Sequence, residues 1–483
     1  MTLVADVLSQ NPAAPAFAGM SFGELRRQVL AVRHGLITQG LRPGDGVLFS
    51  VRPSARSLVL ALAIVAAGGV VVFADPGAGP EMFAARLRLA RPRFSAAESI
   101  LYAGSRLAPI RWYARRGGLL LPDLSALDVE RHVYTGRWLP GVPRGALSFD
   151  AMLSGPAPSA DVTGDPDAPA AVIFTSGTTS APRAVVHSGG SLGAARTVLG
   201  SRVRLGPGDA VYTDQLMLGL PALAGGAQWV LPGPGGVPAD ATHLFAIPVR
   251  LAEMLAAGPL PASLRYVLTG SAPAPAQLLR RAAAAAPGAE VLSIYGMTEI
   301  LPVAVVSAAE KLAHDGDFVG APLPGVAARL AGDGELLLSG PNLCTGYLGL
   351  PPHNELPTGD LARLDPDGIV LLGRKKDMII RGKFNLYPGL YEPAVGALPG
   401  VREAAFVGLA DPGHGDEEVV LCVVVDPAAA ADPSTVVERL RARLPHVIDH
   451  DALPDRIVAL ADLPRGGRTH KLDRAALREL VRR

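Results

Sequence analysis

The sequence predicts an α/β protein with a large multi-layer N-terminal domain, whose β-sheets are flanked by helices, and a small α+β C-terminal domain. A chain of 483 residues is too long for one ordinary hydrophobic core. Strand-like and helix-like stretches alternate through the first 370 residues, which is typical of α/β layers. From residue 374 the elements shorten, so we predict domains at 1–373 and 374–483.

The N-terminal elements follow from periodicity and from glycine stops. Apolar residues recur at helical spacing over 21–40, and GDGVLFSV (44–51) has the composition of a strand. LVLALAIVAAGGVVVFA (58–74) is shorter than the ~20 apolar residues of a membrane span, and Gly68-Gly69 divides it into a buried helix and a buried strand. Further strands are predicted at 170–174 and 289–292, and a helix with its stop at 280–290.

The C-terminal domain is predicted to contain short strands and helices in a compact module. Strands are indicated at 404–411, 419–426 and 455–460, and helices at 434–444 and within 471–483. Lys471 is then expected where a glycine-containing loop meets the last helix. A lysine is slightly disfavoured at a helix start by the macrodipole, which favours a functional reason for it.

Composition excludes several classes of function. The net charge is +1, with 45 basic and 44 acidic residues, so no nucleic-acid partner and no anionic membrane surface are indicated. Cys344 and Cys422 lack CxxC or Cys/His spacing, which argues against a disulfide framework or a zinc site. We expect buried thiols in a cytoplasmic protein, without a transmembrane segment or secretory signal.

The stretch IFTSGTTSAPRAVVH (173–187) combines a strand with a small hydroxyl-rich loop. Gly177 can take positive φ, the hydroxyl side chains can bond phosphate oxygens, and Arg183 adds a fixed charge. The Walker A pattern is absent, so this stretch by itself is compatible with a phosphate-binding loop or with a loop that only connects two strands.

Four further features favour the phosphate cradle. In SIYGMTE (293–299) Tyr295 can stack on a base and Glu299 can hold a metal ion. In TGD (358–360) Asp360 is expected after a turn, where a carboxylate can accept both ribose hydroxyls. Lysine occurs only at 311, 375, 376, 383 and 471, and three of these lie in GRKKDMIIRGK (373–383). The fourth feature is Lys471 itself.

In this order and at these separations, the motifs resemble those of the AMP-forming adenylating enzymes, which comprise acyl- and aryl-CoA ligases, adenylation domains of peptide synthetases, and luciferases. TSGTTSAPRA matches the family's TSGTTG-x-PKG, YGMTE matches YG-x-TE, TGD is intact, and GRKKD matches GR-x-x-D. The resemblance runs from LRPGDGVLF (41–49) through GELLLSGPNLCTGYLG (334–349) to the end of the chain.

The resemblance implies a site for ATP. The β- and γ-phosphates of ATP would be bound by Thr175, Ser176, Gly177, Thr178, Thr179 and Arg183. The nucleoside would be bound by Gly270, Ser271, Ala272 and Pro273 beside the adenine, by Tyr295 on its face with Gly296 and Met297 next to it, and by Asp360 and Arg374 at the ribose. Catalytic roles would fall to Thr298 at the α-phosphate, Glu299 on Mg²⁺, and Lys471 between the substrate carboxylate and the AMP phosphate.

The implied reaction is ATP-dependent activation of a small carboxylic acid to an acyl-adenylate, followed by transfer to coenzyme A. The implied cofactors are ATP, Mg²⁺ and coenzyme A, or the phosphopantetheine of a carrier protein. In the family the C-terminal domain rotates between the two steps about a hinge, which here is Lys376. Transfer to a carrier protein, closure by an internal hydroxyl to a β-lactone, amino-acid adenylation and a non-catalytic nucleotide-binding relative remain alternatives.

Departures from the family pattern bear on rate, acid and acceptor. Ser180 and Ala184 replace glycines, Arg183 replaces a lysine, and His470 replaces the glycine before the catalytic lysine. Phe384 stands where many CoA ligases have glutamate. The region 212–227 lacks the usual aromatic-histidine pair, and the acid is expected near His187, Asp214 and Met217.

Overall fold

The computed structural model describes the chain except residues 1, 75–79, 108–111, 113–121, 160–161, 176–182, 382–383, 411–416, 428–431, 449–451, 467–470 and 483. The strands are β1 Pro15–Phe17, β2 Met20–Ser21, β3 Gly46–Ser50, β4 Val70–Phe73, β5 Phe94–Glu98, β6 Arg131–Thr135, β7 Leu147–Ser148, β8 Pro169–Thr175, β9 Arg183–Ser188, β10 Ala210–Tyr212, β11 Gln228–Val230, β12 His243–Ala246, β13 Tyr266–Gly270, β14 Glu290–Met297, β15 Ile300–Ser307, β16 Asp317–Gly320, β17 Ala327–Leu330, β18 Glu335–Ser339, β19 Gly346–Tyr347, β20 Leu356–Asp365, β21 Gly368–Arg374, β22 Ile379–Arg381, β23 Phe384–Leu386, β24 Val401–Ala410, β25 Glu417–Val425, β26 Arg456–Leu460, β27 Arg465–Gly466 and β28 Lys471–Leu472.

Helices connect and cover these strands. They are α1 Leu3–Leu8, α2 Phe22–Thr38, α3 Ala55–Ala66, α4 Pro80–Ala90, α5 Ser99–Arg106, α6 Phe149–Leu153, α7 Gly189–Gly200, α8 Leu216–Ala224, α9 Pro248–Ala257, α10 Ala276–Ala285, α11 Ala308–Ala313, α12 Pro388–Gly396, α13 Pro433–Arg443 and α14 Arg474–Val481. In the described part of the chain, no helix has the length and apolarity needed to cross a membrane. The predicted α/β class is confirmed.

Two eight-stranded sheets form most of the N-terminal part. The first has the order β19-β9-β8-β4-β3-β5-β6-β7, with β3 to β8 parallel along their shared ladders. The second has the order β15-β14-β13-β12-β10-β11-β1-β2, with a parallel run from β14 to β1. Because the carboxyl ends of parallel strands share one edge, the loops after β10, β12, β13 and β14 emerge together, where open α/β sheets bind ligands.

A third sheet, antiparallel and five-stranded, joins the other two through a common core. Its order is β16-β21-β20-β18-β17. Val185 of β9, Ile300 of β15 and Leu336 of β18 belong to one cluster and are each fully buried. The three sheets are therefore packed together on the side where β9 and β15 lie.

The C-terminal part is built around β25, whose apolar run VVLCVVV is explained by burial on both faces. β25 pairs antiparallel with β24 and parallel with β26. Val419, Leu421 and Val423 lie in one buried cluster, whereas Val420, Cys422 and Val424 lie in the cluster on the opposite face. A strand covered on both faces loses the alternation of apolar and polar residues.

Two local predictions were wrong. Lys471 does not adjoin the last helix, because it lies in β28 opposite Gly466, and α14 begins three residues later with Asp473 accepting a bond from the Ala476 amide at 3.0 Å. Asp360 does not follow a turn, because it lies inside the long strand β20. The ladder with β18 is irregular there, and Gly359 has φ +72°.

Candidate functional site

The hydroxyl-rich loop begins and ends at neighbouring positions on two strands. Thr175, the last residue of β8, is opposite Arg183, the first residue of β9. The predicted phosphate ligands Ser176, Gly177, Thr178 and Thr179 lie outside the described residues, as does Ser180. Arg183 is exposed, and its guanidinium lies 5.6 Å from the centre of the Tyr347 ring. A cation is thus held where the loop returns to the sheet.

The residues predicted beside adenine follow β13 at the carboxyl edge of the second sheet. A Cβ on Gly270 would lie 2.8 Å from the carbonyl oxygen of Ile294 on β14, so only glycine fits without moving a strand. Ser271 has φ +68°, a left-handed conformation that costs a non-glycine residue free energy. Ala272 is half-buried and Pro273 is exposed. Close approach and strain at a sheet edge are typical of a ligand-binding turn.

YGMTE forms the end of a β-hairpin. Gly296 and Met297 continue β14, and Thr298-Glu299 form the two-residue connection to β15. The carbonyl oxygens of both connecting residues are bound: Nε2 of His187 donates to Thr298 at 2.7 Å, and the Cys344 amide donates to Glu299 at 2.7 Å. The backbone at the end of the hairpin is therefore fixed.

The Glu299 carboxylate accepts a hydrogen bond from a residue that the sequence did not single out. The Tyr347 hydroxyl donates to its Oε1 at 3.0 Å. Burial, followed by the charge of Glu299, raises the pKa of Tyr347 to about 12, so the phenol remains a donor across the physiological range. The only sequence signal was the GY of CTGYLG, which carries no chemistry by itself.

Glu299 suits Mg²⁺ better than a metal that needs an all-protein cage. Among the described residues, no group of three or more histidine, cysteine or acidic side chains could hold a metal ion. Mg²⁺ prefers oxygen ligands, keeps several waters, and is usually held by one or two carboxylates together with substrate phosphates. A lone carboxylate at the end of a hairpin fits that pattern.

Tyr295, Asp360 and Arg374 form a triad around the buried Asp360 carboxylate, although they are far apart in sequence. The Tyr295 hydroxyl donates to Oδ2 of Asp360 at 2.7 Å, and Nε of Arg374 lies 2.5 Å from Oδ1. Asp360 is 4% exposed, and burial raises its pKa despite the opposing effect of Arg374. Burial likewise raises the pKa of Tyr295 well above its ordinary range.

Lys471 influences the same triad electrostatically. Burial is the largest influence on the pKa of Asp360 and raises it, whereas the positive charge of Lys471 is among the smaller influences that lower it. Lys471 is exposed on β28 in the C-terminal part, whereas Asp360 belongs to the third sheet. The charge of the predicted catalytic lysine thus acts on a residue predicted at the ribose.

The three residues predicted near the acid differ in their surroundings. His187 is 2% exposed, and burial lowers its pKa, so a neutral ring donates to Thr298 while Nδ1 lies 3.1 Å from Oγ of Ser191. Asp214 is exposed after β10, where it accepts a bond from Gln215 at 2.8 Å. Met217 lies in α8, and its side chain is outside the description.

The two residues that flank Lys376 in the chain make ionic contacts with different parts of the protein. Nζ of Lys375 lies 2.5 Å from Asp333 and 3.1 Å from Glu335, both of the N-terminal part. Asp377 lies 3.6 Å from Nε of Arg474 in α14. Each neighbour of Lys376 is therefore tied to a different part of the protein.

Known proteins resemble this chain along most of its length. The family model described as AMP-binding enzyme matches residues 4–348, and that described as AMP-binding enzyme C-terminal domain matches residues 391–471. An indoleacetate–CoA ligase of Aromatoleum aromaticum is 31% identical over 387 residues, which are 71% of this chain and 73% of that protein.

Two further comparisons agree with these matches. A probable 2-succinylbenzoate–CoA ligase of Mycobacterium tuberculosis is 35% identical over 225 residues, and the match covers 45% of this chain and 54% of that protein. The solved structure of the amide bond synthetase McbA from Marinactinospora thermotolerans superposes with a TM-score of 0.81 at 25% identity, covering 99% of each chain.

Proposed function

Because the chain belongs to the family of AMP-binding enzymes, we propose that it activates a carboxylic acid with ATP and transfers the acyl group to the thiol of coenzyme A. In the first step a carboxylate oxygen attacks the α-phosphorus of ATP, and the bond to pyrophosphate breaks. In the second step the thiol attacks the acyl carbon, AMP leaves, and the thiol proton passes to solvent. The family match and the similarity to a CoA ligase confirm the adenylate-forming ligase chemistry that the motifs predict.

The triad of Tyr295, Asp360 and Arg374 carries the proposal, because it provides a ribose site on which the charge of Lys471 also acts. A carboxylate has about four lone-pair positions, and the bonds from Tyr295 and Arg374 use two of them. Two positions are left for the two hydroxyls of a ribose. With the ribose there, the face of Tyr295 and the strained turn at Ser271 would receive the adenine.

Charge neutralisation is the main catalytic task of the remaining residues. The acid and the α-phosphate are both anionic, and negative charge moves onto the leaving pyrophosphate. Lys471 would bridge the carboxylate and the α-phosphate, and Arg183 would bind the outer phosphates. Mg²⁺ held by Glu299 would supply further positive charge at the phosphates.

We also propose that Lys376 is the pivot for the second step. Lys375 is bound to the N-terminal carboxylates Asp333 and Glu335, whereas Asp377 contacts Arg474 of the C-terminal part. A rotation that keeps both sets of contacts must change backbone torsions between residues 375 and 377. Such a rotation would remove Lys471 from the acyl-adenylate and leave room for a thiol.

Pyrophosphate exchange tests the first step. Wild-type protein, MgATP and labelled pyrophosphate should exchange label only with the correct acid, taken from a panel of aromatic, fatty, hydroxy and amino acids. The variant Lys471→Ala should lose on the order of a hundred- to a thousandfold in exchange rate. Because the Lys471 side chain is exposed, the melting temperature of the variant should equal that of the wild type. Exchange with no acid, or full exchange by the variant, would contradict the assignment.

An amine acceptor is the second candidate, because the amide bond synthetase resembles this chain over its whole length. With the best acid, one reaction receives coenzyme A, a second receives phosphopantetheinylated carrier protein, and a third receives a panel of amines. Mass spectrometry then identifies a thioester, a loaded carrier or an amide. A β-lactone formed without any acceptor would indicate attack by a hydroxyl of the acid itself.

A further inference from the structure

Hydrogen bonds fix the backbone of the hairpin that carries Glu299, so the orientation of the Glu299 carboxylate is the part that can still vary. His187 and the Cys344 amide bind the two carbonyl oxygens of the connection. Residues 344–348 are in turn attached along β9, because the Thr345 amide donates to Val186 at 2.9 Å and the Leu348 amide donates to Ala184 at 2.8 Å. The remaining freedom lies in the Glu299 side chain, whose ordering costs conformational entropy.

Tyr347 restricts that freedom from a fixed position. It lies in β19 opposite Val185, and its hydroxyl is 3.0 Å from Oε1 of Glu299. The bond leaves Oε2 and a second lone pair of Oε1 for another partner. A ligand carboxylate that is already hydrogen-bonded needs less ordering when a metal binds.

The same tyrosine also contacts Arg183, where the hydroxyl-rich loop returns to the sheet. The Arg183 guanidinium lies 5.6 Å from its ring centre, within cation–π range. On another side the ring lies 5.6 Å from that of His353. One side chain thus touches the carboxylate expected on the metal and the cation expected on the phosphates, 116 positions apart in the chain (299 − 183).

We propose that Tyr347 is a positioning residue: its hydroxyl holds Glu299 in the orientation that binds the divalent cation of the metal–ATP complex, and its ring supports Arg183 beside the outer phosphates. The inference rests on the proposed function insofar as that function requires metal–ATP. It adds a residue that acts through Glu299 and Arg183 without touching the reacting atoms.

Metal binding is the readout that separates positioning from folding. Mn²⁺ is titrated into the full chain with α,β-methylene-ATP, which cannot transfer its nucleotide, and bound Mn²⁺ is followed by electron paramagnetic resonance. The variants are Tyr347→Phe, which keeps the ring, and Glu299→Gln. Tyr134→Phe is the matched control, because Tyr134 is a half-buried residue on β6 of the same sheet.

Tyr347→Phe should weaken Mn²⁺ binding by roughly 10- to 100-fold, as loss of a group that orients a metal ligand typically does. In pyrophosphate exchange, the Mg²⁺ concentration for half-maximal rate should rise by a similar factor, while the rate at saturating Mg²⁺ falls much less. Tyr134→Phe should change neither value. Melting temperatures of all variants identify any loss that is due to unfolding.

Three results distinguish this inference from the proposed function. Unchanged Mn²⁺ affinity in Tyr347→Phe overturns the inference even if the wild type exchanges pyrophosphate. Unchanged affinity in Glu299→Gln also overturns it, since Tyr347 would then orient a carboxylate without a metal. Weaker Mn²⁺ binding in both variants supports the inference even if no acid gives exchange, in which case only the proposed function fails.

Discussion

Replacing Asp360 by asparagine should separate function from stability at the triad of Tyr295, Asp360 and Arg374. The carboxylate is 4% exposed, accepts from Tyr295 at 2.7 Å, and lies 2.5 Å from Nε of Arg374. Asparagine has nearly the same shape and can keep both contacts, because its oxygen can accept from Arg374 and its amide can donate to the Tyr295 oxygen. The variant thus removes the charge while leaving the packing in place.

The expected change in stability is small. The raised pKa of Asp360 means that burial disfavours its charge more than Arg374, Tyr295 and Lys471 favour it. Arg374 is 44% exposed and can be solvated without its partner. We therefore expect the free energy of unfolding to change by less than about 1 kcal/mol, instead of the ~3–5 kcal/mol typical of a broken buried pair.

The expected change in ATP binding is large. Two ribose hydroxyls would lose a charged acceptor, and hydrogen bonds to charged groups contribute ~1.5–3 kcal/mol each. Since asparagine keeps part of the accepting capacity, we expect a loss of about 2–4 kcal/mol, or roughly 30- to 1,000-fold in affinity.

The pH dependence has a defined sign. The folded pKa of Asp360 lies above its ordinary 3.8, so the folded protein retains a proton that the unfolded chain has already released. Stability from this group therefore falls as pH rises from 3.8 to the folded pKa, and stays constant above it. Asp360→Asn lacks this decline, so its stability relative to wild type should improve across that interval.

Urea denaturation across this pH range and isothermal titration with MgATP measure the two effects. Asp365→Asn, at the last residue of β20 and in an ion pair with Arg363, is the control and should change neither. A loss of more than about 3 kcal/mol in stability would show that the charge stabilises the fold. Unchanged ATP affinity would show that Asp360 does not bind the ribose.

Two other substitutions test the packing around the site. Arg474→Met should lower the free energy of unfolding by about 3–5 kcal/mol, because Glu392 and Asp377 would lose their buried counter-charge. Urea denaturation measures this change. The control is Arg482→Met, which removes the exposed ion pair with Glu479. Gly270→Ala should lower the free energy of unfolding by about 1–3 kcal/mol and weaken ATP binding, because the new Cβ would lie 2.8 Å from a backbone oxygen of β14. An unaltered urea midpoint would mean that the strands can separate at no cost in stability.

The fold class could be predicted from the sequence because apolar patterns report burial directly. The apolar run 419–426 predicted a strand, and β25 is buried on both faces. The family membership and its ligase chemistry, predicted from TSGTTS, YGMTE, TGD and GRKKD in order, are confirmed. The domain boundary and the individual site roles remain predictions.

The details that could not be predicted depend on contacts across sheets. TGD predicted a turn because Gly-Asp is common in turns, but pairing with β18 and β21 keeps Asp360 in a strand. Lys471 was predicted next to a helix, but pairing with Gly466 places it in a strand. Tyr347 was missed because its contact with Glu299 joins residues 48 positions apart on different sheets.

The concentration of lysines near residue 376 now has a physical explanation for one of them. This chain uses arginine at 40 of its 45 basic positions, yet Lys375 contacts two carboxylates on separate residues, Asp333 and Glu335. An ammonium is a compact charge with donors in three directions, which suits carboxylate oxygens that approach from separate residues. Arg474 uses the planar fork of arginine: its two terminal nitrogens each lie 2.8 Å from one oxygen of Glu392, and its Nε lies 3.6 Å from Asp377. Lys375 thus joins residue 375 to carboxylates of the N-terminal part, and Arg474 joins Asp377 to the C-terminal part, which supports the proposal that Lys376 between them is the pivot.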